Sequence, residues 1–263
     1  MPSDVTFSAL IVRGLPDSYA HCVSTNPLKK SLDLSLARKQ WRDYVSTLRE
    51  SGIEVIELEP LHSYPDSVFI QDTALVGHSG RALLASFGEG SRRGEEESVG
   101  RFLEARGFSV GRVDPPGSLE GGDVLITSEG VAFVGLSSRT NELGAKSFEA
   151  MFGLRVVRVR ITRTFHLLSG VSYLGGGTVA LSPSLVDPSP FRGFRIIYVP
   201  DEEVYASNML YLGDRRVLMP SGFERTEEKL RREGFKPLSV DLSEFWKCDG
   251  GATCLSLPIY YAL

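Results

Sequence analysis

Five polar residues recur at one point of a repeating pattern: Asp72, Glu120, His166, Asn208 and Cys254. A cysteine, a histidine and two carboxylates are the ingredients of covalent catalysis on a cationic carbon centre. The thiolate is the nucleophile, yet a free thiol is mostly protonated at neutral pH. His166, or a bound cation, would favour the thiolate. Histidine titrates near neutrality, so it can give a proton to a leaving group and later take one from water. Taken singly, each residue has a plainer reading. Cys254 reads as a buried core thiol, His166 as a satisfied core histidine, Asp72 and Asp123 as turn or cap residues, and Glu120 as a solvated loop residue. Their common placement in a repeat is what argues for a site.

The repeat is a helix-like segment, a glycine and an apolar strand. It occurs as TLRESGIEVIEL, FLEARGFSVGRV, FEAMFGLRVVRV, PFRGFRIIYV and LRREGFKPLSV. The glycines are Gly52, Gly107, Gly153, Gly193 and Gly234, and the five polar residues follow them by 20, 13, 13, 15 and 20 residues. Glycine takes the left-handed conformation that ends a helix, and the β-rich run turns back into a sheet. A second strand is expected at or near each polar residue. Amphipathic spacing predicts a helix within 26–52, and exposed helices within 91–107, 139–153 and 224–234. The proline-rich SPSLVDPSP from 182 predicts only a short turn, and Gly175-Gly176-Gly177 a tight hairpin. One module cannot bury its own apolar face, so the modules must pack on each other. Two arrangements fit: a closed ring of five strand units aiming five polar residues at one centre, or an ordinary α/β sheet with irregular loops.

Composition narrows the function classes. The 263 residues are 42% hydrophobic and 24% charged, enough for a core of normal size in one domain spanning 1–263. A net charge of -4 without a basic arm argues against a nucleic-acid surface. The N-terminal MPSDVTFSALIVRGL has no basic start and long apolar region, and no apolar run reaches membrane-spanning length. Three cysteines cannot all pair, so reduced thiols and a cytoplasmic location are expected. There is no GxSxG elbow, P-loop, dinucleotide fingerprint, CxxC or HExxH, and His21, His62, His78 and His166 are scattered, so no metal site is expected.

Seven motifs in one order resemble the dimethylarginine dimethylaminohydrolases of the guanidino-modifying superfamily. They are RGLP, DSVFIQDTALV, SRRGEE, LEGGDVL, GLSSRTNELGA, FHLLSGVSYL and DGGATCLSL, running from residue 13 to 257. The resemblance implies a five-bladed pseudo-symmetric α/β propeller and a hydrolase of Nω-methylated arginine, acting as monomer or homodimer without metal or organic cofactor. It implies Cys254 as nucleophile, His166 as general acid and base, and Asp72 and Glu120 as the carboxylates that hold the guanidinium. It further implies Asp66 in the substrate pocket, the Leu15 carbonyl on the substrate amino group, Arg139 on the substrate carboxylate, and Asp249 beside the catalytic centre. The stretch 14–26 is a candidate lid.

Two positions depart from the family pattern. Gln71 stands where a glutamate usually precedes the aspartate, which removes a negative charge near the alkylated nitrogen. Ser86 stands where a second carboxylate-binding arginine is expected after ALLA. Both keep other guanidines open as substrates, namely arginine, agmatine or another alkylguanidine. An amidinotransferase and a non-catalytic binding protein on the same fold are the remaining alternatives.

Overall fold

A computed structural model describes residues 6–263; the first five residues of the stretch read for a leader lie outside the described residues. The chain forms five three-stranded units arranged as an α/β propeller. In four of them the strands are consecutive: β3 (Ala74–Gly77), β4 (Arg81–Leu84) and β5 (Ser109–Arg112); β6 (Val124–Ile126), β7 (Val131–Leu136) and β8 (Arg155–Arg160); β9 (Val171–Tyr173), β10 (Thr178–Leu181) and β11 (Arg195–Tyr198); β12 (Leu210–Gly213), β13 (Arg216–Pro220) and β14 (Lys236–Val240). In each unit the first strand is antiparallel to the second, and the third is parallel to it. The fifth unit joins the two ends of the chain. Its strands are β15 (Ser256–Tyr260), β1 (Phe7–Arg13) and β2 (Glu54–Leu58), in the same antiparallel-then-parallel order. A short parallel pairing of β15 with β3 brings the last unit against the first. That pairing covers the inner edges of β15 and β3, while β6, β9 and β12 remain the inner edges of their own three-stranded sheets.

Burial follows the order of strands. β3, β6, β9 and β12 are buried throughout, whereas the third strands alternate with exposed residues such as Arg155 and Arg160. The parallel crossover from second to third strand needs a connection of a dozen or more residues, and a helix supplies it. α1 (Leu34–Glu50), α2 (Glu95–Glu104), α3 (Glu142–Phe152) and α4 (Glu224–Arg232) fill that role in four units. In the third unit only a single 3-10 turn, Ser189–Phe191, stands there, as the prolines predict. Four of the five repeat glycines have positive φ; Gly193, which ends no helix, does not. The Gly175–Gly177 turn joins β9 to β10, with Tyr173 opposite Val179. A short helix, α5 (Ser243–Trp246), was not expected from the pattern.

The strands begin slightly later than the sequence suggests. A short 3-10 turn precedes β3 at Ile70–Thr73, β6 at Gly121–Asp123, β9 at Leu167–Ser169 and β12 at Asp201–Ser207. Asp72, Glu120, His166 and Asn208 sit in or beside these 3-10 turns, and Cys254 lies in a further turn just before β15, so backbone curvature rather than strand pleat sets their directions. α1 supports the last of these positions. Asp33 caps its N-terminus by accepting from the Ser35 and Leu36 N–H groups. The Tyr44 hydroxyl donates to the Ala252 carbonyl at 2.8 Å and lies 2.9 Å from the Ser256 hydroxyl, bracketing Cys254 from behind.

The cysteines correct one expectation. Cys22 and Cys248 form a disulfide across 226 residues, with Cα atoms 6.0 Å apart, and Cys254 alone is free. The pair forms because the segment after β1 folds back onto the end of α5, a contact that local sequence does not display. Reduced thiols therefore cannot support a cytoplasmic location. Among the described residues no helix is long and apolar enough to cross a membrane.

Candidate active site

Cys254, His166 and Asp72 line one cleft. Cys254 is partly buried. Its Sγ accepts from the Gly251 N–H at 3.3 Å and from Asn208 Nδ2 at 3.7 Å. Asn208 Oδ1 in turn accepts from the Thr253 N–H at 2.8 Å, so one side chain fixes the turn and contacts the sulfur. Burial pushes the Cys254 thiol up to about 11, the nearby Asp72 charge pushes the same way, and the two donors and Arg92 only partly compensate. The Cys254 sulfur is thus held as a thiol, and a positive charge beside it would favour the thiolate.

His166 shows the opposite balance. Burial lowers its basicity, but the carboxylates of Asp72, Glu120 and Asp123 outweigh that and raise it to about 9. Its Nε2 lies 2.8 Å from Glu120 Oε2 and 3.9 Å from Asp72 Oδ1. His166 is an imidazolium at neutral pH, the form that can donate a proton. Glu120 is fully buried beneath it; its other oxygen accepts from the Gly88 N–H at 3.0 Å. Asp72 accepts from the Gly122 N–H at 3.0 Å and pairs with Arg92 at 2.7 Å. Burial would raise the Asp72 carboxyl, yet His166 and Arg92 hold it below the usual range. Gly122 is required where these groups meet, because a Cβ there would lie 2.6 Å from Asp72 Oδ1 and 2.9 Å from the His166 ring. The acceptor atoms of Asp72, Glu120 and His166 lie within 4.8 Å of one another, close enough to share a cation. Their pairing with Arg92 and with a protonated imidazole already satisfies them.

The rest of the cleft carries both signs of charge. Arg92 is buried; besides Asp72 it pairs with Glu95 at 2.8 Å and donates to the Phe69 carbonyl at 3.1 Å. Arg139 is the more accessible arginine, 3.7 Å from Glu120, 3.9 Å from Glu89 and facing the Phe165 ring. Asp66 and Asp249 face them with the opposite sign. Asp66 accepts from the Val23 N–H at 3.0 Å, and Asp249 from the Ser24 hydroxyl at 2.6 Å. Burial raises both carboxyls. Asp249 holds a left-handed φ of 59°, a conformation that costs energy for a non-glycine residue and points to a constrained turn at the cleft wall. The Cys22–Cys248 bond joins the two walls that carry Val23 and Asp249. The arrangement offers a nucleophilic sulfur, a protonated base and two carboxylates at its floor, with two cations and two anions around them.

Three residues expected at the site stand elsewhere. Ser86 does not reach the cleft: its backbone pairs with Leu119, and its side chain lies in a separate groove with Arg93 and Arg112. Arg92 lines the cleft instead, brought in by the 3-10 turn Gly90–Arg92 that Glu89 caps. Gln71 lines a second pocket with Thr253, Met209 and Leu168 and does not line the cleft. Leu15 is buried, and its carbonyl accepts from Arg38 at 3.4 Å; Val23, further along the same stretch, lines the cleft instead. Asp66, Arg139 and Asp249 line the cleft as expected on the sequence. SRRGEE was the available signal for Arg92. No local signal marked Val23.

Comparison with known proteins gives a consistent grouping. The family model described as eukaryotic N,N dimethylarginine dimethylhydrolase matches residues 23–168. The chain is 38% identical to the N(G),N(G)-dimethylarginine dimethylaminohydrolase of Streptomyces coelicolor, covering 98% of each chain. It is 35% identical to the enzyme of that name from Pseudomonas aeruginosa, over 95% of this chain and 99% of that one. A solved structure of the Pseudomonas enzyme, a cysteine-to-serine mutant complexed with citrulline, superposes with a TM-score of 0.90 at 33% identity, over 97% and 100% of the two chains. The N-terminal domain of ArgZ, covalently bound to a reaction intermediate, matches with a TM-score of 0.88 at 25% identity, over 96% and 98%. ArgZ of a Synechocystis strain is named a bifunctional arginine dihydrolase/ornithine cyclodeaminase.

Proposed function

The chain belongs to the dimethylarginine dimethylaminohydrolase family, and from that premise we propose that it hydrolyses Nω-methylated arginine to citrulline and methylamine or dimethylamine, the whole chain acting as one catalytic domain. The carrying observation is the convergence of Cys254, His166, Asp72 and Glu120 at the floor of a cleft that also holds Arg92 and Arg139. A free amino acid ending in a guanidinium presents one carboxylate, one ammonium and one delocalised cation. The arginines suit the carboxylate, Asp66 and Asp249 suit the ammonium, and the floor carboxylates suit the guanidinium.

The chemistry follows from the charges. The guanidinium carbon is a poor electrophile because its charge is delocalised. Asp72 and Glu120 hold its N–H groups and fix its plane against the sulfur. The bound cation offsets the burial and the Asp72 charge that keep Cys254 protonated, so the thiolate forms where it is used. Attack on the central carbon gives a tetrahedral adduct. His166 protonates the departing amine, and a covalent S-alkylthiouronium remains. The same imidazole, now neutral, takes a proton from water. Its hydroxide adds to the carbon, the C–S bond breaks, and the ureido product leaves with Cys254 restored. One water is consumed for each amine released.

Arginine is the second substrate reading, supported by the likeness to the ArgZ domain. Incubation with dimethylarginine, monomethylarginine, arginine and agmatine separates the readings. Ureido product and released amine are expected from the methylated arginines first. Preference for arginine would move the assignment to the second reading, and no ureido product from any of the four would end both. Cys254→Ser is expected to abolish turnover with an unchanged melting curve.

A further inference from the structure

We propose that Asp123 is the positioning residue of this site, a buried carboxylate that fixes His166, Arg139 and Glu120 in one frame; the proposal rests on the hydrolase reading above. Asp123 is fully buried in the turn that follows Glu120. Its Oδ1 accepts from the Leu167 N–H at 2.9 Å. Leu167 follows His166 directly and opens the 3-10 turn Leu167–Ser169, which has no cap from the His166 side chain itself. The Asp123 carboxylate therefore supplies that cap, and it sets the backbone from which the imidazole projects.

Its other oxygen organises the opposite wall. Asp123 Oδ2 accepts from the Ser137 hydroxyl at 2.7 Å. The same Ser137 oxygen accepts from the Arg139 N–H at 2.9 Å and the Thr140 N–H at 3.2 Å. Thr140 Oγ1 then accepts from the Glu120 N–H at 3.1 Å. One carboxylate thus reaches the acid–base residue through one bond, the accessible arginine through two, and the buried glutamate through a third side chain. The unit spans two strand modules, because β6 and β7 lie on one side and the His166 turn leads into β9.

Charge supports the geometry. Burial pushes the Asp123 carboxyl up to about 6, with His166, Ser137, Thr140 and the Leu167 N–H opposing it, so it is ionised at neutral pH. The carboxylates of Asp72, Asp123 and Glu120 raise His166, and the charge of His166 in turn lowers Asp123. A merely structural carboxylate here would hold the turns but leave the acid–base group unmoved.

Asp123→Asn and Ser137→Ala in the full chain test the assignment. Asparagine keeps an acceptor for the Leu167 N–H and removes the charge. The expected result for Asp123→Asn is a folded protein with kcat reduced about 100-fold, the scale of a misplacement near 1 Å. Its alkaline limb, and the His166 midpoint read by NMR, should fall by roughly one pH unit. His166→Gln assigns the resonance. Ser137→Ala should raise KM about tenfold through Arg139 while kcat changes little. The NMR midpoint requires no turnover, so it reads Asp123 even if the substrate assignment fails. A folded Asp123→Asn protein with an unmoved His166 midpoint overturns the proposal, whatever its activity. If that variant does not fold, a Ser137→Ala protein with native KM overturns it instead.

Discussion

The protonation states of Cys254 and His166 lead to a quantitative expectation for thiol labelling. With the thiol near 11 in the empty site, the gap to pH 7.5 is about 3.5 units. About one molecule in 3,000 then carries the thiolate, a cost of roughly 4.8 kcal/mol at 1.36 kcal/mol per unit. A guanidinium held ~4 Å from the sulfur returns about 4 kcal/mol at an effective dielectric of ~20, or roughly three units. Binding therefore brings the thiol close to working pH, and the empty enzyme stays unreactive. Iodoacetamide, which is neutral, should label Cys254 with a rate rising about tenfold per pH unit from 7 to 10 and no plateau in that range. A haloacetamidine carries the cation with it. After normalisation to a free thiol, its advantage over iodoacetamide at pH 7.5 should be on the order of 1,000-fold. Mass mapping should place the adduct on Cys254 alone, since Cys22 and Cys248 are bonded to each other. A labelling plateau at or below pH 8 in the empty enzyme would falsify substrate-assisted ionisation, because the thiolate would then pre-exist. Turnover adds a second limb. His166 acts as the acid in its protonated form, so kcat should fall as pH rises through about 9.

The two arginines should separate by their environments. Arg139→Ala should raise KM by about 10- to 100-fold, the equivalent of one charge-assisted contact at ~1.5–3 kcal/mol, with a nearly native melting curve; an unchanged KM would remove Arg139 from the substrate carboxylate. Arg92→Ala leaves Asp72 and Glu95 buried without their cation, and stability should fall by about 3–5 kcal/mol in denaturant titration; a native midpoint would show that these charges relax without it. Breaking the Cys22–Cys248 bond by Cys22→Ser frees a loop of 226 residues, and the chain-entropy view sets an upper scale of about 5 kcal/mol for the loss. Substrate affinity should weaken as well, because Val23 and Asp249 flank the bond; equal KM and equal stability with and without a reductant would dismiss it as a clamp.

What the sequence makes legible is set by how locally each contact is encoded. Glycine after a helix and before a β-rich run is a local signal, and its fivefold recurrence places Asp72, Glu120, His166, Asn208 and Cys254 at equivalent turns. Distance along the chain hides the rest. Cys22 and Cys248 meet only once the fifth unit closes the ring. Arg92 reaches the cleft because the 3-10 turn Gly90–Arg92 carries it back past Ser86, so the position that follows the strand in sequence does not follow it in space. Gln71 differs again. It adjoins Asp72, and Thr253 adjoins Cys254, yet both neighbours line the second pocket while Asp72 and Cys254 line the cleft. Adjacent side chains in extended or turning backbone leave in different directions, and here they separate a reactive face from a buried one. Among the described residues, the buried Gln71 Oε1 and Thr253 Oγ1 have no hydrogen-bond partner, and both side chains line the second pocket rather than the cleft. With Arg92 lining the cleft and Gln71 lining the second pocket, neither departure from the family pattern removes a charge from the cleft, and neither position counts against the proposed methylated amino acid.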